Sequence, residues 1–381
     1  MEISQMDVPS FYCPFPYAIS PEAAEIDRRT VQWMDDFGLH RNRTQRDYLA
    51  TQKVGYFASL TMPHGSGEGL QVASDQLFWL FTFDDMYCDE REDDSSLDEL
   101  VQLLGKLARI LEAPTARMLP GNPWAEGLRD IRRRLDLYAT PVQTARWVEE
   151  LRKYLFGLIW EAVNRSAKRI PRVNDYVAMW LNVTATAPSL MFIDISAGYE
   201  VSAAEMSTPR VRALTEMANA LVGWDNDIIS FNKEAFRKER YGYAELQNLV
   251  SVLAHQNDCS IPDALATAVA MRDRVMSLFL RLSDEVKTDA GSELTRYVHG
   301  LGEWVRGYLE WSMITDRYGD PRNPDDDLTA DRIAMPRTWK DEPMDDSPDP
   351  LPVTAINWWW DQLSEANYPH PPQPDRWQTS D

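Results

Sequence analysis

RVRALTEMANALVGWDNDIISFNKEAF, residues 210–236, is the stretch on which the reading of this chain turns. It is rich in Ala, Leu, Val, Ile and Trp, and its pattern predicts a helix facing a core. Within it Asn226, Ser230 and Glu234 recur at four-residue intervals, so they share one helical face. A carboxamide, a hydroxyl and a carboxylate in a row pack poorly, yet they make a good oxygen cage for a hard cation. The neutral oxygens of Asn and Ser leave positive charge over for an anionic ligand. The blander reading is a buried stripe satisfied by hydrogen bonds.

The surroundings repeat the helical period. PEAAEIDRRTVQWMDDFGL, SDQLFWLFTFDD, SLDELVQLLGKLARILEA and PVQTARWVEELRKYLFGLIWEAVNRS precede it. IPDALATAVAMRDRVMSLFLRLSDEV and ELTRYVHGLGEWVRGYLEWSMITDRY follow, and several of these stretches begin with Ser or Pro. Alternating strand-like runs are nearly absent, so the expected fold is all-α, a single helical domain over residues 21–320. Residues 1–20 read as a Pro- and aromatic-containing arm. Residues 321–381 carry 11 of the 24 prolines and 13 acidic against 5 basic side chains, which predicts a largely irregular tail. That tail holds three consecutive tryptophans, Trp358–Trp360, expected to dock on the body because exposed apolar patches of that size are uncommon.

The formal net charge of −21 repels nucleic acid and anionic membranes, and it opposes a phosphorylated substrate unless cations intervene. Three widely spaced cysteines form no disulfide framework or zinc pattern, which points to a reducing compartment. The N-terminus lacks the basic region of a signal peptide, and no apolar run approaches the roughly 18 residues of a membrane span. A cytoplasmic protein with no nucleic-acid partner and no membrane span is expected.

A second polar cluster lies in FTFDDMYCDE, residues 81–90. On a helix Asp85 and Asp89 fall one turn apart with Asp84 flanking, and like charges that close are tolerable when a divalent cation sits between them. Oxygen-only ligands favour Mg²⁺ or Mn²⁺ over zinc. A plain solvated helix end is the competing reading. A third feature, WSMITDRYGD at residues 311–320, offers the planar fork of Arg317 and the hydroxyl of Tyr318.

Taken in order, the DDxxxD element at Asp84–Asp89, the NDxxSxxxE element at Asn226, Ser230 and Glu234, and the Arg317-Tyr318 pair resemble those of bacterial class I terpene synthases. The resemblance spans roughly residues 12–320. It implies a class I helical bundle around a central apolar cavity, and three Mg²⁺ ions (Mn²⁺ being possible) that bind a prenyl diphosphate and trigger its ionisation to an allylic cation. On that resemblance Asp84 is a metal ligand with Asp89 a possible helper, and Asn226, Ser230 and Glu234 hold another ion. Lys233, Arg317 and Tyr318 contact diphosphate, and Asp85 partners Arg317. A homodimer is possible.

The cation formed needs a dry wall, and aromatic faces suit it because their quadrupole attracts positive charge. Phe81, Tyr87 and Trp311 are the candidates, with Phe78 and Phe192 behind them, although aromatics at helical spacing often serve only as core. One position departs from the resemblance. Tyr176 is in place, but Trp180 stands where a diphosphate-sensing arginine is expected, with Val183 and Thr184 at the following linker and effector positions. The diphosphate is then held by Arg317, Lys233 and metals alone, or Arg172 substitutes, or ionisation is weak or altered; Trp180 could also form cavity wall. Ala185, Ala187, Ser189, Ala197 and Gly198 leave room for a longer chain. The expected activity is Mg²⁺-dependent cyclisation of farnesyl diphosphate, with geranylgeranyl diphosphate as the nearest alternative. An impaired homologue that binds prenyl diphosphate or a protein partner is the reading from a different class.

Overall fold

The computed structural model describes residues 7–89, 97–241, 247–318 and 339–364, and for residues 88, 89 and 236–241 the backbone alone. The side chain of Asp89 and the tail residues 319–338 and 365–381 therefore lie outside the described residues.

Helices dominate. The first four are α1 (Ala23–Phe37), α2 (Arg43–Thr51), α3 (Val54–Thr61) and α4 (Gly67–Asp84). Then come α5 (Leu97–Glu112), α6 (Pro123–Tyr138), α7 (Pro141–Ser166), α8 (Val173–Val183), α9 (Thr186–Leu190), α10 (Phe192–Ser196) and α11 (Ala203–Met206). The last are α12 (Pro209–Tyr241), α13 (Leu249–Asn257), α14 (Ile261–Asp289) and α15 (Ser292–Ser312). Among the described residues the one β-pairing outside these is an isolated parallel bridge, Tyr12 with Lys340. Local chemistry sets the starts: Thr140 and Gln143 close a reciprocal capping box over α7 with Pro141 at its first turn. Asn122 caps α6 by accepting from the Ala125 backbone N–H, ahead of Pro123.

Two long elements frame the centre. On one side α12 packs against α14, α15, α8, α9 and α13; on the other α4 packs against α1, α3, α6 and α10. The bundle closes where α15 meets α3, and there the backbones touch. A Cβ added at Gly307 would lie 2.3 Å from the Leu60 carbonyl oxygen, so only glycine permits this approach. Behind α12, Arg272 forms a fully buried ion pair with Asp225 at 2.8 Å and also donates to the carbonyl of Tyr12. The N-terminal arm is thereby tied to the body, with Phe11 and Cys13 buried.

Residues 339–364 run along the outside of α12 and α14, irregular except for a 3₁₀ turn at Asn357–Gln362. Trp359 and Trp360 are buried, and the Trp359 indole donates to Glu216 at 2.9 Å. Trp358 remains partly exposed beneath Arg212, 5.7 Å from its ring. No single helix among the described residues is long and apolar enough to cross a membrane.

Candidate active site

One cavity of about 140 Å³ lies between α4 and α12 and gathers the polar motifs. Its apolar half is built by Phe57, Leu77, Leu80, Phe81, Trp180, Val183, Val222 and Trp304. Its polar half is Asp84, Asn226, Ser230, Lys233, Glu234, Tyr308, Arg317 and Tyr318. Two larger clefts, about 480 Å³ at His64 and His299 and about 710 Å³ at Trp358, contain none of these motif residues.

The helix that carries the first carboxylates changes winding at them. It is α-helical to Asp84 and continues as a π-helical turn over Asp85–Asp89. Single turns of this kind are frequent at functional sites. The expected alignment of Asp85 with Asp89 turns on the Asp89 side chain, which lies outside the described residues. The two neighbouring carboxylates divide: Asp84 lines the cavity, whereas Asp85 is buried against Arg317. Arg317 donates to both Asp85 oxygens, each at 3.0 Å. Burial opposes the charge on Arg317, but the Asp85 carboxylate outweighs it and raises the guanidinium pKa well above its usual value. Its guanidinium also sits 4.6 Å above the Phe81 ring.

On α12 the four-residue spacing does what helix geometry requires, and Asn226, Ser230 and Glu234 all face the cavity. The Asn226 amide nitrogen donates to the hydroxyls of Tyr318 at 2.7 Å and Tyr308 at 3.1 Å. That arrangement leaves its carbonyl oxygen as the atom for a cation. Burial raises both tyrosine hydroxyls above their ordinary pKa, so they remain neutral. Ser230 donates to one oxygen of Glu234, which brings hydroxyl and carboxylate within reach of one ion. The other oxygen accepts from Asn248 at 3.1 Å. Lys233 is buried, with its ammonium 5.7 Å from the Tyr318 ring. Oxygen donors from α12 thus face Asp84 of α4 across one cavity, a donor set that fits a hard divalent cation.

Trp180 lines the cavity. It stacks on Tyr176 at 5.2 Å, and the Tyr176 hydroxyl donates to buried Asp227. A Cβ at Gly223 would stand 2.7 Å from the Trp180 indole nitrogen, so the glycine on α12 makes room for the ring. Val183 and Thr184 line the cavity beside it. Arg172, the considered substitute, is exposed at the start of α8 and lies outside the cavity.

Several expected wall residues are elsewhere. Phe78 and Phe192 are fully buried core, Phe192 edge-on to Trp147 at 6.3 Å. Tyr87 packs on Phe83 and Trp124, away from the cavity. Trp311 stands one layer back, stacked on Phe57 at 4.4 Å and on Phe81 at 5.5 Å, with its indole bound to the Gln52 carbonyl. Of the small residues, Ala185 lines the cavity, whereas Ala187 and Ala197 line the two outer clefts. Helical spacing alone does not say which flank of a helix meets the cavity, and that caused these errors. Sequence reading also missed Phe57, Tyr154, Glu161, Trp304 and Tyr308, which reach the cavity from α3, α7 and α15. Tyr308, ten residues before Tyr318 on a predicted helix, was the one of these with a nearby signal.

The comparisons with known proteins agree with this geometry. Residues 75–277 match the family model described as terpene synthase family 2, C-terminal metal binding. The chain is 35% identical to (+)-(1(10)E,4E,6S,7R)-germacradien-6-ol synthase of Streptomyces pratensis, over 96% of this chain and 99% of that protein. It is 34% identical to a (+)-T-muurolol synthase of Streptomyces clavuligerus, named as (2E,6E)-farnesyl diphosphate cyclizing, over 94% of this chain and 83% of that one. The crystal structure of SVS_A2, a protein from ancestral sequence reconstruction, superposes with a TM-score of 0.81 at 33% identity, covering 93% and 99% of the two chains. With the motif residues converging on one apolar cavity, the chain belongs to the terpene synthase family and is a class I terpene cyclase.

Proposed function

We propose that this enzyme converts farnesyl diphosphate to a cyclic sesquiterpene and releases diphosphate, using Mg²⁺. The observation that carries the reading is the joining, in one cavity, of an aromatic wall to a rim of oxygen donors and two buried cations. Asp84 on one side and Asn226, Ser230 and Glu234 on the other would hold the metal. Asp89, whose side chain lies outside the described residues, is a possible helper. Bound Mg²⁺ supplies charge that stabilises the departing diphosphate.

The protein's own groups do the rest. Lys233 and Arg317 are charged donors for diphosphate oxygens, and Tyr318 adds a neutral hydroxyl. Asp85 holds Arg317 in place and ties the π-turn after α4 to the segment after α15. When the allylic C–O bond breaks, its electron pair leaves with diphosphate and the carbon chain becomes cationic. Phe57, Phe81, Trp180 and Trp304 offer aromatic faces to that cation and exclude water. Cyclisation ends on loss of a proton or capture of water.

The S. clavuligerus relative is named for farnesyl diphosphate, which supports the C15 chain. Trp180, a neutral side chain where the resemblance expects an arginine, favours a second reading of weak or altered ionisation. Incubating the purified chain with Mg²⁺ and C10, C15 or C20 diphosphates, followed by mass-spectrometric product analysis, separates these. A sesquiterpene is expected from C15. Product from C20 alone would replace it with a diterpene synthase, and no product from any substrate would leave the impaired homologue. A homodimer and a cytoplasmic location belong to the same proposal, and light scattering tests the former.

A further inference from the structure

We propose that Asn248 is a positioning residue for the cation site: its side chain sets the orientation of Glu234 and couples that carboxylate to the start of α13. The inference rests on the proposed metal role of Glu234.

Asn248 is buried, with 1% exposure, and its carboxamide is fully used. Its nitrogen donates to the Asp227 carbonyl at 2.8 Å and to the second oxygen of Glu234 at 3.1 Å. Its oxygen accepts from the Val250 backbone at 3.0 Å and so caps α13. An amide group offers two hydrogens and one carbonyl oxygen, and all three have a stated partner here. Glu234 is consequently gripped from both sides, by Ser230 on one oxygen and by Asn248 on the other. A neutral donor is the right chemistry for this place. A lysine or arginine there would neutralise the carboxylate that has to face a cation, whereas an amide orients it and leaves its charge intact. The grip is anchored further, because Asp227 also accepts from the Leu249 backbone at 2.9 Å and from Tyr176. α12, α13 and the Tyr176 turn of α8 therefore meet at the back of the cation face. Groups that orient a metal ligand from behind typically change metal affinity 10- to 100-fold when lost.

Two substitutions isolate the contact. Asn248→Asp is isosteric and still caps α13, since aspartate is as good a cap as asparagine, but it presents an acceptor to Glu234. Asn248→Ser also retains a capping oxygen, buries no new charge, and falls short of Glu234. The measurement is Mn²⁺ binding, followed by electron paramagnetic resonance, to the full chain in the presence of inorganic diphosphate. It is made alongside the Mg²⁺ concentration for half-maximal turnover and the thermal melt. Both variants are expected to weaken Mn²⁺ binding and raise the Mg²⁺ requirement about 10-fold, with kcat at saturating Mg²⁺ much less affected. Should the aspartate variant fail to fold, the serine variant decides. Mn²⁺ affinity within twofold of the unsubstituted protein in folded Asn248→Ser overturns the inference. Glu234→Gln is the control: if it too leaves Mn²⁺ binding unchanged, the metal role of Glu234 is what fails; if it weakens binding while Asn248→Ser does not, only the positioning role fails.

Discussion

Arg317 and Asp85 lie 232 positions apart in the chain, yet they meet in a two-pronged ion pair with both bonds at 3.0 Å, inside the protein. One sits at the π-turn after α4 and the other just beyond α15, so the pair joins the two borders of the cavity mouth. Removing one partner leaves a buried charge alone. Asp85→Asn is expected to destabilise the fold by about 3 kcal/mol, measured by denaturant unfolding. Arg317→Lys retains the charge but loses the planar fork, and a fall in turnover larger than the loss of stability is expected.

The oxygen face of α12 is expected to be indispensable. Asn226→Ala and Glu234→Gln should each lower product formation by at least about 100-fold, comparable to loss of a group that stabilises developing charge. Circular dichroism should remain that of the helical bundle. Chelation with EDTA should stop turnover and Mg²⁺ should restore it; turnover that survives chelation would refute the metal reading.

Trp180 and Gly223 are expected to behave as a unit. Gly223→Ala places a methyl group 2.7 Å from the indole nitrogen and has to move the ring or the helix. A cost of about 1–3 kcal/mol and an altered product mixture are expected, from thermal melts and product analysis. Trp180→Arg places a cation in the cavity wall where the resemblance expects one. Faster ionisation would mark Trp180 as a lost diphosphate contact, and slower turnover with changed products would mark it as cavity wall.

Asp75 is fully buried beside Arg134, Thr30 and Gln71, and burial pushes its carboxyl up to about 6. Its value in the unfolded chain is about 3.9, so folding favours the protonated form. The stability this contributes is complete below pH ~4 and lost as pH rises through about 6. Relative to Asp75→Asn, which does not titrate, the unsubstituted protein should therefore lose stability on the order of 2 kcal/mol between pH 4 and 6. Melting curves of the two proteins across that range provide the check, and parallel curves would refute it.

Residues 339–364 are expected to be part of the folded body. Trp359 is fully buried, and Trp359→Ala should cost about 3–5 kcal/mol in unfolding experiments. A change within a few tenths of a kcal/mol would make the segment a dispensable appendage.

The repeating helical period, the near absence of alternating runs, and four-residue spacings such as Asn226, Ser230 and Glu234 are properties of the sequence by itself. They determine the all-α class and put three oxygen donors on one face, because an α-helix brings every fourth residue to the same side. Tertiary structure decided what lies opposite that face. It brought Arg317, 232 positions on, against Asp85, and it wound the segment after Asp84 as a π-turn that no spacing rule foretold. It also chose Phe57 and Trp304 for the wall while leaving Phe78, Tyr87 and Phe192 in the core. An aromatic side chain has the same periodicity on either flank of a helix, and only packing against distant helices settles which flank borders the cavity. The placement of Asn248 behind Glu234, 14 residues away and on another helix, was decided by packing in the same way.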